Sequence, residues 1–89
     1  MAIVFIPALL RDLTGGVESI SLPGSTVREV IDQLEMRYPG VKARLVDGDR
    51  LRPGIVVVVD GAVSRLRLRQ RLDVGSEVHF LRAISGGKI

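Results

Sequence analysis

The sequence predicts a two-layer α+β domain, with one amphipathic helix laid over a mixed sheet of four to five strands. Three observations predict it. The 89 residues are 46% hydrophobic but only 3% aromatic, which is enough for one aliphatic core of Val, Ile and Leu and too short for a second domain. Only one stretch, residues 27–38, has a helical period. Around it lie short β-branched segments bounded by Gly, Pro and Asp, two before the helix and three after it.

Residues 2–6 are apolar and β-rich and read as the first strand, and residues 7–14 read as a loop longer than a tight turn. Thr14-Gly15-Gly16 is a turn signal. Residues 17–22 alternate imperfectly, with Val17, Ser19 and Ser21 against Glu18, Ile20 and Leu22, and make a loose hairpin with the first strand. Pro23-Gly24 stops that strand. Thr26 and Glu29 then fit a capping box, the hydroxyl accepting from the backbone while the carboxylate reaches back. Val27, Val30, Ile31 and Leu34, with Tyr38 beyond them, form one helix face, and Tyr38-Pro39-Gly40 ends the helix.

Residues 41–51 are polar and turn-rich, with room for one helical turn at 42–46. Pro53-Gly54 introduces residues 55–59, Ile-Val-Val-Val-Val, apolar on both faces as an interior strand is. Asp60-Gly61 is a strong hairpin signal. It leads into residues 62–68, read as a strand in which Leu66 and Leu68 alternate with Arg65, Arg67 and Arg69. Residues 73–76 turn the chain into a last strand at 77–83. Val78 and Phe80 are expected under the helix, and His79 and Leu81 on the other face. The order β, β, α, β, β, β, with the first and last strands as parallel central neighbours, is satisfied by the β-grasp (ubiquitin-like) arrangement. The domain is expected to span residues 1–84, and 85–89, Ser-Gly-Gly-Lys-Ile, to be a flexible tail.

Composition narrows the function. With no cysteine there is no disulfide, thiolate metal site or cysteine nucleophile. His79 is the only histidine, which argues against a metal site and for a surface residue. A core this small leaves little room for a deep catalytic cleft. No secretory signal is read at the start, and the longest later apolar run, 55–59, is too short to span a bilayer. A cytoplasmic protein with no membrane association is expected. The formal net charge of +3 arises in the last third: residues 1–61 carry seven Lys or Arg against eight Asp or Glu, and residues 62–89 carry six against two. Arg65, Arg67, Arg69 and Arg71 would line one face of a strand. That face is either a docking stripe for an acidic partner or nucleic acid, or a solvated edge guarded by charge. Nucleic acid is disfavoured because no aromatic residues suited to base stacking lie nearby.

An ordered series of short signatures adds a resemblance. Ile6-Pro7, Leu10-Arg11, Thr14-Gly15-Gly16, Gly24, Thr26-Val27, Val30-Ile31, Leu34-Glu35 and Tyr38-Pro39-Gly40 run through the first half. Arg44-Leu45, Asp47, residues 57–61, Leu72, Gly75, Glu77-Val78 and finally Ala83-Ile84-Ser85-Gly86-Gly87 continue it. Together these resemble the MoaD/ThiS family of ubiquitin-like sulfur carriers over nearly the whole chain. The chain is more similar to the molybdopterin synthase small subunit than to the shorter thiamine-pathway carrier. The Thr-Gly-Gly loop and the full middle section look most like carriers that feed cysteine synthesis.

The resemblance implies a protein that is not itself an enzyme and binds no cofactor. An E1-like enzyme uses ATP to adenylate the carboxylate of Gly87, and a sulfur donor converts it to a thiocarboxylate that a sulfur-accepting synthase consumes. Gly86 and Gly87 carry the chemistry; Leu81, Arg82, Ala83, Ile84 and Ser85 are the implied partner contacts. Leu81 is either such a contact or a scattered surface leucine. Because Gly87 is bonded to Lys88, the chemistry further requires cleavage between Gly87 and Lys88, removing Lys88-Ile89, by a processing metallopeptidase. A ubiquitin-like modifier that forms isopeptide bonds, or a β-grasp binding module that is never activated, are the alternatives. The chain departs from the family's habit at Arg82, where proline is common, at Asp60-Gly61 for Asn-Gly, and at Ser76 within Gly-Asp-Glu.

Overall fold

A computed structural model describes residues 1–82. Strand β1 (Ala2–Phe5) is followed by a 3₁₀ turn (Ala8–Leu10) and a short helix α1 (Arg11–Thr14), then by β2 (Ser19–Leu22) and the main helix α2 (Val27–Arg37). A short helix α3 (Val41–Leu45) precedes a small hairpin of β3 (Val46–Asp47) and β4 (Arg50–Leu51). Strands β5 (Ile55–Val59) and β6 (Ala62–Val63), a second 3₁₀ turn (Arg67–Arg69) and β7 (Glu77–Arg82) complete the described chain. No helix among the described residues is long and apolar enough to cross a membrane.

The main sheet has five strands in the order β2-β1-β7-β5-β6. As expected, β1 and β7 are parallel neighbours, with Val4 opposite Val78 and Phe5 opposite His79. Strand β7 is central, flanked also by antiparallel β5 with Val57 opposite Phe80 and Ile55 opposite Arg82. Pleating then divides β7: Val78 and Phe80 are buried, His79 is half-buried and Leu81 is exposed. The helix face read from the sequence is the one that packs. Val27, Val30, Ile31 and Leu34 are buried in one cluster with Val4, Val57, Val78 and Phe80, and Tyr38 packs against it. Each such side chain stabilises the fold by roughly 1.5–3 kcal/mol relative to exposure.

Local chemistry sets the boundaries. Thr26 Oγ1 accepts from the Glu29 N–H at 3.2 Å, capping α2 as predicted. The Glu29 carboxylate reaches one residue further back than expected, accepting from the Ser25 backbone N–H at 2.8 Å and its hydroxyl at 3.0 Å. Those bonds, the backbone one foremost, hold the Glu29 carboxyl below its ordinary value. Asp60 and Gly61 both take positive φ (52° and 86°), the requirement of a type I′ hairpin turn.

The strand predicted over residues 62–68 is a correction. Pairing stops at Val63. Ser64 is buried, and its hydroxyl accepts from the Arg67 N–H at 3.0 Å and donates to Gln70 Oε1 at 2.7 Å. Arg67 takes a φ of 53°, and Leu68 folds into the core while Leu66 stays half-exposed. A serine that closes the chain on itself removes the period of two, so Arg65, Arg67 and Arg69 do not line a strand face. Three smaller differences accompany it. The loop at 7–14 is mostly helical turns, the second strand begins at Ser19, and residues 46–51 form a hairpin. Strand β5 is paired on both sides, yet only Val57 is fully buried: Val56 and Val58, opposite Leu81 and His79, lie on the sheet face away from α2. The predicted boundary at 84 and the tail at 85–89 lie outside the described residues.

Candidate functional site

The site expected from the sequence is the C-terminal end of β7 together with residues 83–88. Leu81 and Arg82 are consecutive in β7 and both exposed, Leu81 by 48%. Ala83, Ile84, Ser85, Gly86, Gly87 and Lys88 lie outside the described residues.

The sheet face away from α2 forms an open cleft of about 780 Å³ that reaches the end of β7, lined among others by Phe5, Pro7, Arg11, His79, Leu81 and Arg82. The register that sets Phe5 opposite His79 stacks their rings, with centroids 4.2 Å apart and planes 3° from parallel. Offset or stacked rings of this kind contribute on the order of 1 kcal/mol beyond their buried area. The stack gives the face a rigid, partly apolar floor beside Leu81. His79 is therefore a half-buried stacked residue rather than a freely solvated one.

Next to this floor the 3₁₀ turn, α1 and α3 are pinned together by Arg44. Its guanidinium donates to both Asp12 carboxylate oxygens at 2.7 and 3.0 Å and to the Leu9 carbonyl at 2.8 Å. The hydrogen bonds from Arg44 hold the Asp12 carboxyl below its ordinary value, and the same bonds raise that of Arg44. Arg52 Nε donates to the Ala43 carbonyl at 2.7 Å. Arg44, Arg52 and Arg82 meet in a shallow cleft with Leu9 and Ala43.

Sequence reasoning set Leu81 on the open face of the sheet, where it lies, and missed Phe5, Arg44 and Arg52 as parts of this surface. Phe5 was within reach, since parallel pairing of the first and last strands brings residue 5 opposite residue 79. The two arginines were not, because they converge only once α3 and the β4–β5 connection have folded back. Among the described residues, no cluster of His, Asp and Glu could hold a metal ion. Presentation is what this arrangement can do: the central strand ends beside an apolar and cationic face.

A mixed sheet grasping one main helix, with the last strand at its centre, defines a ubiquitin-like β-grasp protein. The chain belongs to the ThiS family, which it matches over residues 4–87. It is 35% identical to the sulfur carrier protein CysO of Mycobacterium tuberculosis over 94% of this chain and 96% of that one. A chain in the crystal structure of an Amycolatopsis orientalis BexX/CysO complex matches with a TM-score of 0.89 and 38% identity, covering 98% of this chain and all of that chain. Small archaeal modifier protein 1 of Methanosarcina acetivorans matches with a TM-score of 0.77 and 26% identity, over 97% of this chain and 95% of that one.

Proposed function

We propose that this protein is a sulfur carrier whose reactive centre is the acyl carbon of Gly87. The observation that carries the reading is the reach of the family match: it runs through Gly86 and Gly87 and stops before Lys88. The likeness to CysO over nearly the full length supports the same assignment.

The chemistry begins with hydrolysis of the Gly87–Lys88 peptide bond by a processing peptidase, which frees the Gly87 carboxylate. An E1-like enzyme then joins that carboxylate to the α-phosphate of ATP and releases pyrophosphate. A sulfur donor attacks the acyl carbon, AMP leaves, and a thiocarboxylate remains on Gly87. A synthase passes the sulfur to its acceptor while water replaces it on the acyl carbon, which restores the carboxylate; cysteine synthesis is the pathway favoured by the likeness to CysO. ATP belongs to the activating enzyme, and the carrier supplies no acid, base or metal to these steps.

Glycine suits the position because a residue without Cβ passes a narrow channel and takes either sign of φ. Ordering five residues, 83–87, opposes binding by about 1–2 kcal/mol each. The folded body must offset this, and Leu81 with the Phe5–His79 floor is the apolar surface next to the tail that can do so. Ala83, Ile84 and Ser85 would line the entrance to the partner's channel.

A second reading, a protein modifier, is favoured by the likeness to small archaeal modifier protein 1. It uses the same activated Gly87 with a lysine amine as nucleophile. Incubating a Gly87-ended chain with ATP, its cognate activating enzyme and a sulfide source separates the readings. A mass gain matching exchange of one oxygen for sulfur supports the carrier; conjugates on lysines of added proteins support the modifier. An unchanged mass contradicts both and leaves a binding module.

A further inference from the structure

We propose that Arg52 and Arg82, with Arg44 behind them, form a cationic clamp that docks against an acidic surface at the mouth of the activating enzyme's channel. This rests on the reading of Gly87 as the activated end and adds the chemistry of the partner surface. The three side chains line one shallow cleft with Leu9 and Ala43. The only carboxylate bonded to any of them among the described residues is that of Asp12, and it is taken up by Arg44. Arg52 is oriented through its Nε, which donates to the Ala43 carbonyl; its two terminal nitrogens make no hydrogen bond to the described residues. Arg82 makes none with its side chain either. Two guanidiniums are thus presented without a counter-charge among the described residues, at the C-terminal end of β7.

Distance and neighbouring chemistry define the occupant. Gly87 lies five residues beyond Arg82, a span of at most about 18 Å when extended. A tail threaded into a channel therefore holds the clamp at the rim, away from the phosphates of the nucleotide. The cleft adjoins the apolar floor, sharing Leu9 and Arg82 with it, so a protein surface that covers Leu81 also covers the clamp. Arg52 and Arg82 then meet a facing carboxylate bidentately, a geometry that guanidinium favours over ammonium. A nucleic acid would meet the same charges with one paired histidine–phenylalanine stack and no free aromatic for base stacking.

The test measures pyrophosphate release as the activating enzyme of the same cell acts on Gly87-ended wild type, R52E, R82E and R65E. Arg65 comes after the edge strand β6, two strands away from β7, and R65E matches the change in net charge. R52E and R82E are each expected to raise KM by about 5- to 10-fold at low salt, the range of a partly exposed ion pair replaced by repulsion. Values of kcat should stay within about twofold, and the KM difference should shrink as salt screens it. R65E should leave KM within about twofold of wild type. Equal KM values for R52E, R82E and R65E overturn the clamp while leaving the carrier reading intact. A wild type that is not activated at all overturns the carrier reading and the clamp with it. Should R52E fail to fold, because Arg52 also holds the Ala43 carbonyl, R82E decides the matter alone.

Discussion

Replacing Gly24 with alanine tests how the main helix is seated on the sheet. Gly24 lies between β2 and the cap of α2 and takes a φ of 149°, a region that side chains other than hydrogen rarely enter. A Cβ built there would lie 2.9 Å from Val30 Cγ2, 3.1 Å from the Val30 backbone N and 3.2 Å from Glu29 Cβ. Val30 is fully buried and its N–H is bonded to the Thr26 carbonyl, so it cannot move aside without disturbing the first turn of α2. The unfavourable backbone contributes about 1–3 kcal/mol, and the overlap contributes about 1–3 kcal/mol more. The sum, about 2–6 kcal/mol, is a large share of the 5–15 kcal/mol typical of whole domains. Gly61→Ala is the matched control, with a φ of 86° and nothing near its Cβ, so only the backbone contribution applies, about 1–2 kcal/mol. Urea unfolding of the two variants and wild type, at unchanged slope, gives the difference directly. Gly24→Ala should lose at least about 1 kcal/mol more than Gly61→Ala. Equal losses would refute the close approach as the reason that glycine stands at position 24.

The site gives two further expected outcomes. The depressed Asp12 carboxyl contributes stability that is fully present above the ordinary aspartate value, near 3.8, and is lost as pH falls through the lower folded value. Wild type should therefore exceed Asp12→Asn in melting temperature at neutral pH, and the gap should close on acidification below about pH 4; a gap that does not change with pH contradicts the assignment. Leu81→Asp removes an exposed apolar side chain, so thermal stability should change by no more than about 0.5 kcal/mol. Its KM for activation should rise by about tenfold or more as the docking face loses its apolar contact. An unchanged KM would return Leu81 to a scattered surface leucine.

Much of the fold was legible because local and global signals agree. The helix face from Val27 to Leu34, the Thr26 cap, the Asp60-Gly61 turn and the alternation of Val78, His79, Phe80 and Leu81 each obey a short-range rule. Parallel pairing of the first and last strands came from topology. Pattern misled where one side chain outweighed it. At residues 62–68 the alternation of Leu and Arg suggested a strand, but the buried Ser64 hydroxyl closes a turn there, and Leu68 alone is drawn into the core. Periodicity carries no signal for such a bond. The hairpin at 46–51 escaped for a related reason: two-residue strands are too short to show a period. The same limit applies to the site. Leu81 and Arg82 could be named from their place before the Gly-Gly pair, whereas Arg44 and Arg52 join them only through bonds to the carbonyls of Leu9 and Ala43.

On the proposed reading the reacting group is backbone rather than side chain, the acyl carbon of Gly87. The most direct measurement sets the chain with Lys88-Ile89 beside a version ending at Gly87, each mixed with ATP, the cognate activating enzyme and a sulfide source, and reads intact mass. Only the Gly87-ended version should exchange an oxygen for sulfur, and the longer chain should do so only after it has lost both residues. Sulfur on the longer chain while Lys88-Ile89 is still attached, or none on the Gly87-ended version, would contradict the assignment.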